Sequence, residues 1–142
     1  MTRDFELHER LQADTVEVAR WDLSLLLLMN EQRWPWLILV PRRAGAREIL
    51  DLGQPERAQL MEEAAAAGRL LVALHRPDKL NMAVIGNLVP QLHLHVVARV
   101  AGDPAWPKPV WGQFPPAPCE TAALEARLAE LRRALAAGRH RG

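Results

Sequence analysis

Apolar and polar positions divide this chain into blocks with two different periods. Residues 24–29, Ser-Leu-Leu-Leu-Leu-Met, are a continuous apolar run of strand length, the pattern of a strand buried on both faces. Asn30 to Arg33 supply turn chemistry, and residues 34–40, Trp-Pro-Trp-Leu-Ile-Leu-Val, form a second apolar run ended by Pro41. Together they predict an antiparallel hairpin. Pro35 must lie at the start or edge of its strand, because it has no N–H for the ladder. Residues 15–21 alternate weakly and predict an earlier strand. Residues 80–85 and 91–100 predict two later ones, separated by a turn at Gly86-Asn87.

Spacings of three and four mark the helices. Leu60, Ala64, Ala67, Leu71 and Leu74 make one apolar face of a long helix. Pro55 opens it at a first-turn position, and Pro77-Asp78 stops it. Leu124, Leu128, Leu131 and Leu135 give the stripe of a C-terminal helix over about 119–137. Phe5, Leu7 and Leu11 predict a short packing helix over 5–15, capped by Asp4. Residues 102–118 carry Pro104 before Trp106, and Pro107 and Pro109 between Trp106 and Trp111. They are too rich in proline for a helix or central strand and predict an irregular arm. The order is helix, three strands, helix, two strands, arm, helix. It argues for an α+β fold: an antiparallel sheet of about five strands, a long central helix and a C-terminal helix. The 142 residues suit a single domain, 1–142, with its core over about 15–112.

Composition narrows the function. A formal net charge of +1 provides no global field for nucleic acid or an anionic membrane, so any anion must be held locally. The single cysteine, Cys119, excludes an internal disulfide and a multi-cysteine zinc site, and reads as packing. The polar, acidic start and the shortness of the apolar runs predict a cytoplasmic protein without a membrane segment.

The chemistry concentrates in Gln91-Leu92-His93-Leu94-His95-Val96-Val97. On a strand, alternate side chains share a face, so Gln91, His93 and His95 are expected together, with roughly 7 Å between neighbours. Leu92, Leu94 and Val96 would pack into the other face. Three roles for the histidines stay open on this pattern. As metal ligands they need further protein ligands, and His8, His75 and His140 are scattered. As a catalytic pair, one imidazole attacks phosphorus while the other orders the phosphate or supplies a proton. The third role is structural, two histidines lining a cavity. Gln91 offers an amide NH2 to a phosphate oxygen. Arg99, closing the strand, is placed to reach the mouth of such a site, whereas Arg42 and Arg43 read as a solvated loop. Trp36 either stacks on a base or fills the core, and its usual burial favours the core.

That heptapeptide resembles the histidine triad (HIT) signature, His-φ-His-φ-His-φ-φ with φ apolar, with Gln91 in the first position. The resemblance extends over roughly residues 21–111. It takes in the hairpin that ends at Pro41-Arg42-Arg43, the helix from Pro55, the strand at 80–85, and the Trp106-Pro107 arm. It implies a HIT-like fold. It also implies hydrolysis or transfer at a nucleotidyl phosphoanhydride or phosphoramidate, such as a dinucleoside polyphosphate, through a nucleotidyl-histidine intermediate. By position His93 is the nucleophile, with His95 and Gln91 assisting as the remaining catalytic residues. Asn30, Asn87, Arg99 and Trp106 are the substrate-binding candidates. The resemblance implies a small-molecule nucleotide substrate and a homodimer, the Trp106 arm reaching toward a partner's site. No cofactor and no bound metal are expected. The alternatives are a nucleotide-binding protein of the same fold whose catalysis Gln91 has weakened, and a metal-dependent enzyme using the His-x-His pair.

Overall fold

Both hairpin runs pair as their pattern predicts. In the computed structural model, which describes residues 4–142, β2 (Ser24–Met29) lies antiparallel to β3 (Trp36–Pro41), with Leu26 opposite Leu39. β1 (Thr15–Arg20) flanks β2 on its outer side. The chain then runs through a short 3-10 turn (Ile49–Asp51) and the long helix α2 (Gln54–His75). It returns as β4 (Lys79–Ala83) and β5 (Leu94–Arg99). β5 inserts between β3 and β4, so the all-antiparallel sheet has the order β1-β2-β3-β5-β4. The last helix, α3, spans Thr121–Ala136. The fold is α+β with a five-stranded antiparallel sheet. Among the described residues, no helix is long and apolar enough to cross a membrane.

Two apolar layers cover the two faces of this sheet. On one, Leu26, Leu28, Leu37, Leu39, Leu94 and Val96 meet α2 and α3 through residues such as Leu60, Ala67, Leu71 and Leu131. On the other, Leu25, Leu27, Trp36, Ile38, Val40 and Val97 meet Leu11 and the arm residues Ala105 and Val110. Burial on both faces is why the central strands read as unbroken apolar runs instead of alternating. Gly68 brings α2 close to the sheet: a Cβ there would stand 2.9 Å from Leu80 Cδ1. Pro35 falls just outside β3 and contributes only its carbonyl, which accepts from the Ala98 N–H at 3.0 Å.

The structure corrects several predicted boundaries. The N-terminal helix α1 is Glu9–Asp14, shorter than expected, and its cap is His8, whose Nδ1 accepts from the Arg10 N–H. Phe5 and Leu7 precede it as irregular chain. β5 begins at Leu94, not at residue 91, because Pro90 to His93 make no strand ladder with a neighbour. β4 ends at Ala83, two residues early, releasing the Ile85–Val89 stretch as a loop. The arm at 102–118 is irregular as predicted, and its residues Ala105 and Val110 are buried in the cavity-side layer.

Candidate active site

β5 carries its side chains alternately into the two layers. Leu94 and Val96 go to the helices, while His95 and Val97 go to the other face, with His93 just before the strand beside His95. The two imidazole centroids are 4.8 Å apart and the rings are nearly perpendicular. On the ladder His95 stands between Ile38 of β3 and Ala83 of β4. A cavity of about 510 Å³ opens above the pair, within the usual range for small-molecule sites. Met29, Trp34, Val89, Val110, Trp111 and Phe114 make its apolar walls, and Asn30 and Asn87 bring amides to it. Its charged lining is balanced: Glu31 binds Arg33 at 2.6 Å, and Arg10 stands 3.8 Å from Asp14.

Hydrogen bonds assign opposite protonation to the two rings. His93 Nδ1 lies 2.6 Å from the Gln91 carbonyl oxygen. A carbonyl only accepts, so Nδ1 carries a proton, and in the neutral ring the lone pair is on Nε2. His95 Nδ1 lies 3.1 Å from the Trp36 indole nitrogen. Indole N–H only donates, so here Nδ1 accepts and Nε2 carries the proton. One ring is therefore a nucleophile or base at Nε2, and the other is a hydrogen-bond donor at Nε2. This arrangement suits a metal poorly, since a chelating pair needs a lone pair from each ring. Among the described residues no group of three or more His, Cys, Asp or Glu is placed to hold a metal ion.

Burial, and then repulsion from the adjacent His93, push His95 down to about 3 from its ordinary 6.5. It is therefore neutral at physiological pH. The unfolded chain binds a proton on this residue below about pH 6.5, while the folded protein refuses it until about pH 3. The stabilising contribution is complete above about pH 6.5 and declines as acidity rises through that window, by at most about 1.4 kcal/mol per pH unit. Urea midpoints measured from about pH 8 to about pH 4 are expected to show this fall, with a shallower slope in His95→Asn. Equal slopes in the two proteins would contradict the assignment.

Trp111 closes the site from the arm. Its ring meets Trp36 edge-on at 5.9 Å and His95 at 5.5 Å. The arm's end is clipped to the hairpin turn. Cys119 N–H donates to Asn30 Oδ1 at 2.8 Å, Ala117 N–H to Glu31 Oε1 at 3.2 Å, and Gln32 N–H to the Ala117 oxygen at 2.8 Å. Asn30 thus spends its acceptor on the arm and retains its NH2 for a ligand.

The predicted site residues divide between the cavity and its supports. His93, His95, Asn30 and Asn87 line the cavity. Gln91 does not: without a strand at that position the face rule fails, and its amide is bonded to the N-terminal segment at Glu6 and His8. Arg99 is not at the mouth either. It is 1% exposed, paired through Nε and Nη2 with Asp103 at 2.7 and 2.9 Å, and bonded to Asn81 Oδ1 at 2.8 Å. Trp106 covers that guanidinium, ring centre to Cζ 5.5 Å, away from the cavity. Arg42 and Arg43 turn back onto the chain, to the Trp21 carbonyl and Glu56 respectively. Sequence reasoning missed the Trp36–His95 bond and the roles of Trp111, Phe114 and the Glu31–Arg33 pair. Alternation along β3 does put Trp36 on the face of Ile38 and Val40. Its partner depends on the β3–β5 register, which local pattern does not carry.

The site is thus a differentiated histidine pair on and beside β5 of an open antiparallel sheet, under one cavity. Known proteins share this architecture. The sequence pattern of the HIT domain matches residues 10–102. A histidine triad protein from Marinobacter aquaeolei VT8 is 45% identical, with a TM-score of 0.88 over 95% of this chain and 98% of that one. One from Bradyrhizobium japonicum is 44% identical, TM-score 0.88, over 92% and 98%. One from Sinorhizobium meliloti 1021 is 39% identical, TM-score 0.87, over 91% and 96%. No curated protein matches the chain. The chain belongs to the histidine triad (HIT) domain family. Membership supports a nucleotide-binding, hydrolase-type protein.

Proposed function

We propose that this protein cleaves a nucleotidyl phosphoanhydride or phosphoramidate through a nucleotidyl-histidine intermediate. The observation that carries the reading is the opposite proton placement on two adjacent rings under one cavity. His93 Nε2 attacks the α-phosphorus. The Nε2–P bond forms as the bond from phosphorus to the leaving oxygen or nitrogen breaks, and the leaving group takes a proton from solvent. Water then attacks the same phosphorus, releasing a nucleoside monophosphate and restoring the imidazole. His95 donates its Nε2–H to a phosphoryl oxygen, where negative charge builds up. It does so as a neutral ring, so it is suited to ordering and stabilising the phosphate and poorly suited to giving up its proton. Asn30 and Asn87 bind the substrate through their amides, and the apolar walls take the base and ribose.

Mass spectrometry of protein quenched in acid-free denaturant after mixing with an adenosine phosphoramidate or a dinucleoside polyphosphate tests this. The expected result is a nucleotidyl adduct on His93 and release of nucleoside monophosphate, both persisting in chelator. Tight nucleotide binding with no adduct and no turnover would show a binding protein instead. Turnover abolished by chelator with the phosphoramidate, which needs no counter-ion for a polyphosphate tail, would show metal chemistry.

A further inference from the structure

Gln91 lies where no strand ladder holds the chain, yet its backbone carbonyl and both ends of its side-chain amide are engaged. Its backbone oxygen accepts the His93 Nδ1 proton at 2.6 Å. Its side-chain Oε1 accepts from the His8 N–H at 2.8 Å, and its Nε2 donates to the Glu6 oxygen at 2.8 Å. A neutral primary amide presents an acceptor and a donor side by side, so it pairs with a peptide segment much as a neighbouring strand does. A carboxylate lacks the donor, and an apolar side chain lacks both. The peptide unit that holds the Gln91 carbonyl is also fixed at its other end, where the Leu92 N–H donates to the Ala46 oxygen at 3.0 Å. The clasped segment is itself seated, because Phe5 and Leu7 pack against the cavity-side apolar layer and Leu11 is buried in it.

We infer that Gln91 is a positioning residue: it clasps residues 6–8 so that its own carbonyl is held against the His93 ring, and the N-terminal segment is thereby part of the framework that sets the nucleophile's tautomer. The tautomer matters because a proton on Nδ1 leaves the attacking lone pair on Nε2. Without the clasp the Gln91 carbonyl is tethered through Leu92 alone, and the His93 ring loses its fixed orientation. The inference rests on reading His93 as the nucleophile, but its test does not depend on turnover.

The comparison is between His8→Pro, His8→Ala and Gln91→Ala in the full chain. His8 has φ −55°, which proline adopts without strain. Proline removes the N–H that Gln91 accepts, together with the ring that caps Arg10; alanine removes the ring and keeps the N–H. The difference between the two variants isolates the clasp. Nitrogen NMR of the His93 ring in the free protein reads the tautomer, and steady-state kinetics separates kcat from KM. Gln91→Ala and His8→Pro are expected to convert a single Nδ1–H form into a mixture of tautomers. Both are expected to lower kcat by about 10- to 100-fold, the scale of a misplaced reacting group, with little change in KM. His8→Ala should match the parent, and combining His8→Pro with Gln91→Ala should add nothing to Gln91→Ala alone. An unchanged Nδ1–H signal in Gln91→Ala overturns the inference, as does a His8→Pro protein indistinguishable from His8→Ala. Absence of turnover in the parent protein would sink the functional reading, while the tautomer comparison would still decide this one.

Discussion

Replacing His93 by alanine is expected to reduce cleavage of a nucleoside phosphoramidate by at least about 10⁴-fold, the scale on which loss of a covalent nucleophile is felt, while nucleoside monophosphate binding changes little. The asymmetry follows from where the binding surface lies. The cavity walls come from Met29, Trp34, Val89, Val110, Trp111 and Phe114, and all but Phe114 belong to the apolar layer on that face of the sheet. Truncation frees the Gln91 carbonyl that accepted from Nδ1, which is a small loss beside that of the bond-forming atom. His95 cannot take over, because Trp36 ties up its Nδ1 and its Nε2 carries the proton. Initial rates and isothermal titration with the same nucleotide separate the two effects. Residual turnover within a few tens of the parent rate would mean that His93 forms no bond to phosphorus.

Removing the carboxylate of Asp103 is expected to cost about 3–5 kcal/mol of stability, the penalty for breaking a buried ion pair from one side. Arg99 is 1% exposed, and Asp103→Ala takes away both of its carboxylate contacts, leaving Asn81 and the Trp106 ring. The guanidinium cannot shed its charge to escape the cost. Asp103 also accepts from the backbone N–H groups of Ala105 and Trp106, at 3.1 and 2.9 Å, so the turn into the arm loses its cap as well. The hydrogen bond from Arg99 is the main reason Asp103 is pushed down to about 2 from 3.8. Its contribution is therefore complete above about pH 4 and is lost as pH falls through about 2. Equilibrium urea unfolding near neutral pH measures the loss. A change below about 1 kcal/mol, the range of a surface pair, would mean the guanidinium finds water in the variant. Replacing Arg99 and Asp103 together by apolar residues of similar size should recover much of the loss, since neither charge is then left unpaired.

Local pattern carried most of the architecture. The apolar runs at 24–29 and 34–40, the three-four face of α2 and the leucine stripe of α3 each report a burial that the fold realises. The catalytic candidates His93 and His95 were legible because their one-residue spacing survives the transition into β5. What escaped was long-range. Arg99 at the end of a strand looks like a cation free to meet phosphate until the arm returns Asp103 to it, four residues later and around a turn. Gln91 looks like a member of the histidine face, but strand alternation holds only where a ladder exists, and the ladder starts three residues on. Trp36 and His95 are separated by 59 positions, and nothing in either neighbourhood announces which pairs will stand diagonally across two strands. Pattern thus identified the groups able to do chemistry, whereas protonation and orientation came from contacts between distant segments.

The clip between the arm and the hairpin turn also makes the protein easy to instrument. Cys119 carries the chain's sole thiol, half-buried, and its backbone N–H holds Asn30 at the cavity rim. A small fluorophore or fluorinated tag attached there would need no cysteine removed elsewhere. The reporter would lie one hydrogen bond from Asn30, at the edge of the cavity, and would give an optical or magnetic signal from that edge.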